Sequence, residues 1–140
     1  MAFLLDTNVV SELRKRAPDP HVLAWHQRNV TAAAYVSVLV LGELRQSIER
    51  IRPRDAAQAE ALERWLDRLV VGYRDRILAV TADVAQEWGR LAASAQPPPA
   101  VDGLLAATAR VRRLVLVTRN VRDVARTGVA VVNPFEPAHR

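Results

Sequence analysis

Phe3-Leu4-Leu5-Asp6-Thr7-Asn8 decides how the chain is read. An uninterrupted apolar run gives way to an acid, a hydroxyl and an amide, side chains that favour turns and helix caps. A short run of this kind is what a strand buried on both faces looks like. Residues 2 to 5 therefore read as a strand, and Val9 to Lys15 as a short helix behind it. Asp6 stands where the strand ends.

The same alternation continues outward. Ala34-Tyr35-Val36, Ile77-Leu78-Ala79-Val80, Leu114-Val115-Leu116-Val117 and Val129 to Val132 read as further strands with amphipathic helices between them. Pro18 and Pro20 stop the first helix and start a second over His21 to Asn29, with Val22, Trp25 and His26 on one face. Ser37 suits the cap of a helix to about Arg52, in which Val40, Leu44, Ile48 and Ile51 share a face. Asp55 to Val71 turns Leu62, Trp65, Leu66 and Leu69 inward, and Gly72 suits its C-terminal cap. Thr81 caps a helix to about Ser94 that buries Val84, Trp88 and Leu91. Gln96-Pro97-Pro98-Pro99 cannot be helical, so the next helix begins near Val101 with Asp102 in its first turn. Thr118 to Arg126 reads as a loop and a short helix.

This order predicts one three-layer α/β/α domain over residues 1–140, with an irregular tail from about residue 134. Its sheet is mainly parallel and about five-stranded, joined by right-handed crossovers. Ligands of such sheets bind at the carboxyl ends of the strands. Asp6, Glu43, Asp102 and Asp123 all fall where apolar segments end or helices begin. If the sheet gathers those ends, the carboxylates meet. Crowded like charges resist desolvation, and a hard divalent cation is the natural remedy.

Each acid has a structural alternative. Asp6 and Asp123 suit helix caps, and Asp102 suits the positive end of its helix dipole. Glu43 is harder to dismiss, because it lies beside an apolar helix face with no Lys or Arg three or four residues away. Thr7, Asn8, Thr118 and Asn120 surround the first and last acids with groups that can orient carboxylates and water. Arg119 and Arg122 can hold a phosphate or simply face solvent.

Several classes are excluded. The chain has no cysteine, so disulfides and thiolate zinc sites are out. His21, His26 and His139 are scattered through the sequence and form no constellation for a zinc site or a Ser-His-Asp triad. Asp6-Thr7-Asn8 lacks a second acid two residues on, which argues against an aspartyl phosphotransferase. No segment approaches the roughly 20 apolar residues of a membrane span, and Asp6 interrupts the first apolar run too early for a signal peptide. A cytoplasmic location is expected. The formal charge of +5 understates the basic surface if four acids are neutralised in a pocket, and an anionic polymer would be drawn to it.

Leu4-Leu5-Asp6-Thr7-Asn8 with Ser11-Glu12, Ser37 to Glu43-Leu44, Ala100-Val101-Asp102 with Leu105 to Ala109, and Thr118-Arg119-Asn120 with Asp123 together resemble the PIN domain family. Within it the pattern is most similar to the VapC and FitB-like toxins of toxin-antitoxin pairs. The resemblance implies a ribonuclease toxin that needs one or two Mg²⁺ or Mn²⁺ ions. It maps Asp6, Glu43 and Asp102 onto the family's central acids and leaves the fourth place between Asn120 and Asp123. It further implies a homodimer, a hetero-oligomer with a small antitoxin that inserts an arginine into the acidic pocket, and contact with operator DNA only through that antitoxin. The competing reading is a dimerising scaffold subunit of such a DNA-binding complex with little nuclease activity.

Overall fold

The computed structural model describes residues 1–29 and 33–137. His139 and the end of the expected tail lie outside the described residues. In chain order the elements are β1 (Ala2–Leu5), α1 (Thr7–Arg14), α2 (Pro20–Arg28), β2 (Ala33–Ser37), α3 (Val38–Ile51), α4 (Ala56–Tyr73), β3 (Ile77–Leu78), α5 (Ala82–Ala92), α6 (Ala100–Arg112), β4 (Val115–Val117), α7 (Val121–Val124) and β5 (Val131–Val132). Short 3₁₀ turns follow α4 and α7.

The strands form one sheet in the order β3-β2-β1-β4-β5, and every pairing is parallel. Helices cover both faces, giving the three-layer α/β/α arrangement expected. Leu4, Leu5, Val36, Leu116 and Val117 are fully buried, as strands covered on both faces must be. Trp25 packs its ring edge-on against Phe3, with centroids 5.1 Å apart. From β1 the chain runs outward to β2 and β3 on one side and to β4 and β5 on the other. β1 and β4 therefore flank the topological switch point, where a crevice opens at the carboxyl ends.

Helix starts follow the residues expected of them. Ser37 accepts from the Leu39 N–H, Asp55 from Gln58 and Thr81 from Val84. The end of α4 departs from expectation. The helix runs past Gly72 to Tyr73, and Arg74 at φ 22° is the C-cap in place of the glycine, while the Arg76 guanidinium lies over the Tyr73 ring and donates to the carbonyls of Gly72 and Ala34. The edge strands are also shorter than their apolar runs. Register pairs Ser37 with Leu78, and because Ser37 already caps α3, Ala79 and Val80 have no strand beside them. β5 keeps only Val131 and Val132, since Thr127 turns the chain before Val129. His26 is exposed rather than on the buried face of α2.

The proline run fixes where α6 begins. Pro98 packs on Gly103, where an added Cβ would lie 3.1 Å from the proline Cγ and 3.3 Å from Trp88 Cδ1. Both are ring atoms, and each ring would have to give by a few tenths of an ångström. Gly103→Ala should therefore lower stability by roughly 1 kcal/mol, overpacking outweighing the better helix propensity of alanine. An unchanged or higher denaturation midpoint for this variant would contradict the packing described.

Candidate metal and active site

Asp6 is the anchor of the crevice. It is only 4% exposed, and its backbone N–H extends the pairing with β4 by donating to Val117 O at 2.9 Å. One carboxylate oxygen caps α1, accepting from the Thr7 N–H at 2.7 Å. The other accepts from the Thr118 hydroxyl at 2.6 Å and from Asn8 Nδ2 at 3.3 Å. Capping and gathering are thus one arrangement at Asp6, not alternatives.

Thr118, fully buried at the end of β4, ties the neighbourhood together. Besides donating to Asp6 it accepts from the Asn120 N–H at 2.9 Å, while Asn8 Oδ1 accepts from the Arg119 N–H at 3.2 Å. Glu43 is reached from α1: the Thr7 hydroxyl donates to its Oε1 at 2.5 Å. The sequence offered no signal for that contact, since the two residues are 36 positions apart.

Asp102 joins them from the first turn of α6. Its carboxyl is pushed up to about 6, first by burial and then by the negative charges of Asp6, Asp123 and Glu43, against the lowering effect of a hydrogen bond with Asn120. Asp6, Glu43 and Asp123 are therefore each within electrostatic reach of Asp102. Asp123 lies inside α7 with its side chain exposed, and it does not cap the helix. Arg122 is exposed beside it. The Arg119 guanidinium stacks over the Phe135 ring, 3.8 Å from its centroid.

The donors are all oxygens, which suits Mg²⁺ or Mn²⁺ rather than softer ions. A divalent charge would also relieve the repulsion that Asp102 registers. Among the described residues, however, no three acidic or histidine side chains close around one point at metal-binding distance. The donor chemistry fits a hard cation, and the carboxylates are neighbours without forming a finished cage.

Residues 3–129 match the family model for the PIN domain. The chain belongs to the PIN domain family. Within it, the chain is of the VapC and FitB type of toxin-antitoxin toxin. It is 31% identical over 139 residues to VapC ribonuclease Y4jK of Sinorhizobium fredii, covering 96% of this chain and 99% of the relative. The FitAcB structure from Neisseria gonorrhoeae superposes with a TM-score of 0.86 at 29% identity, over 95% of this PIN domain and 98% of that chain. A structure of FitAB bound to a DNA fragment gives a TM-score of 0.86 at 26% identity over 98% of both chains. Among the described residues of this PIN domain, no helix is long and apolar enough to cross a membrane.

The raised Asp102 carboxyl has a consequence for stability. An unfolded chain titrates it near 3.8. Between about pH 4 and pH 6 the folded form holds a proton that the unfolded form has lost, so stability falls as pH rises through that window. Asp102→Asn cannot ionise. In EDTA it should flatten this dependence and melt at a higher temperature at pH 7, by on the order of 1 kcal/mol once solvent screening is allowed for. Melting curves that track the wild type across the window would contradict the crowding of these acids.

Proposed function

We propose that the chain is a metal-dependent endoribonuclease toxin that hydrolyses RNA phosphodiester bonds, leaving 5′-phosphate and 3′-hydroxyl ends. The observation that carries this reading is the crowding of acids near the switch point, where Asp102 feels Asp6, Glu43 and Asp123 together. Kinship with a VapC ribonuclease supports it.

Asp6 and Asp102 would hold one or two Mg²⁺ or Mn²⁺ ions, with Glu43 and Asp123 binding directly or through water. Such an ion supplies a water of lowered pKa and positive charge for the scissile phosphate. The chain's own part is to fix the donors. Thr118 and the Thr7 N–H hold both oxygens of Asp6, and the Thr7 hydroxyl holds Glu43. Asn120, which lowers the Asp102 carboxyl, would take a positioning role, with Asp123 as the fourth acid. Arg122, exposed next to Asp123, would take a substrate phosphate. Arg119 is committed to Phe135 and Asn8, so its contribution is to shape the loop.

The relatives' complexes suggest the partners. A small antitoxin would silence the site by offering an arginine to the carboxylates in place of the metal. A homodimer in the cytoplasm, reaching operator DNA through the antitoxin alone, completes the reading.

Purified, antitoxin-free protein should cleave structured RNAs in Mg²⁺ or Mn²⁺ and lose that activity in EDTA. Thr118→Val removes a hydrogen bond from Asp6 without touching ion or RNA, and should cost about 10–100-fold in rate. Asp6→Asn and Asp102→Asn should cost more. Gel analysis of the products decides it: cleavage that persists in Asp6→Asn or in EDTA overturns the mechanism.

A further inference from the structure

A groove of about 290 Å³ has Asp123, one of the four acids, in its wall. Arg90 reaches it from α5, the Pro97–Pro99 run from the connection to α6, and Arg122, Asp123 and Arg126 from α7 and the turn after it. Asp123 belongs both to this groove and to the acids felt by Asp102, so the groove runs up to the proposed metal site.

We propose that this groove is the track for the single RNA strand flanking the cleaved bond, with Arg90 and Arg126 each taking a backbone phosphate beyond the one nearest Arg122. The proposal rests on the nuclease reading and names how its substrate is held. Three guanidiniums against one carboxylate around a single cavity leave a positive excess that favours an anion. No close ion pair ties them up. Among the described residues Arg122 and Arg126 make no ion pair, and Arg90 meets Glu87 only at 3.4 Å with its own side chain 66% exposed. An exposed pair of that kind is worth little and yields readily to a phosphate.

The lining also says what is recognised. No aromatic side chain contributes to it among the described residues, so bases have no stacking platform and contact with the backbone prevails. The proline run makes one side of the groove rigid, which lowers the ordering cost of binding. Contact there would be indifferent to sequence, and selection among RNAs would come from elsewhere on the surface.

The test is binding of a labelled ten-nucleotide single-stranded RNA to the full chain in EDTA, followed by fluorescence anisotropy across a salt series. Each phosphate contact on a single strand contributes about 0.7 to the slope of log affinity against log salt. The double variant Arg90→Ala/Arg126→Ala should therefore lose about 1.4 from that slope and bind roughly tenfold more weakly. Arg112→Ala, an exposed arginine ten residues along α6 from Asp102 and so about 15 Å away, should keep the wild-type slope. A wild-type slope in the double variant, or an equal loss in Arg112→Ala, overturns the proposal. Cleavage by the wild type in Mn²⁺ is read separately. If it fails while the slope falls as expected, the nuclease reading is lost and the RNA track stands.

Discussion

The crowding of Asp102 by the negative charges of Asp6, Asp123 and Glu43, at one edge of a parallel sheet, is the constraint to which the rest of this PIN domain answers. The strand order changes direction at β1, so the ends of β1 and β4 face a common crevice. Asp6 enters it buried. It remains acceptable there because donors surround it: the N–H at the start of α1, the Thr118 hydroxyl and the Asn8 amide. Asp102 has fewer compensations and carries the electrostatic cost, visible in its raised carboxyl.

The same contacts couple the site to the fold. Thr118 and Asp6 are 112 positions apart, and their hydrogen bond exists only when β4 lies beside β1. Asn8 reaches the backbone of Arg119 across the same gap. A site built this way is rigid where the sheet is rigid. Its more exposed members, Asp123 and Arg122, ride on a single helical turn at the rim. On the proposed reading, acidic interior and basic rim would divide the work of holding a cation and attracting a polyanion.

Much of this was legible in the sequence, for physical reasons. Strands buried on both faces must be apolar runs, and Asp6, Ser37, Asp55 and Thr81 mark helix starts because side-chain oxygens there satisfy free N–H groups. The neighbourhood of the four acids followed from topology. What stayed hidden depends on contacts between distant residues. The Arg76 bond to the last turn of α4 needs a side chain folded back over Tyr73, and Ile77 to Val80 is cut short by a partner strand that ends at Ser37. The Thr7 bond to Glu43 and the meeting of Arg90 with Arg126 around a proline run have no local pattern at all. The membership of Asn120 and Asp123 was ambiguous because both lie near one strand end. Both act on Asp102, Asp123 by raising its carboxyl and Asn120 by lowering it.

Calorimetric titration of Mn²⁺ into the full chain at pH 6, in two buffers of different ionisation enthalpy, bears most directly on whether the gathered acids form a cation site. The expected result is one or two ions bound per chain with proton release, as Asp102 gives up its proton to the incoming charge, and loss of that binding in Asp6→Asn. No binding at millimolar Mn²⁺, or equal binding by Asp6→Asn, would contradict it.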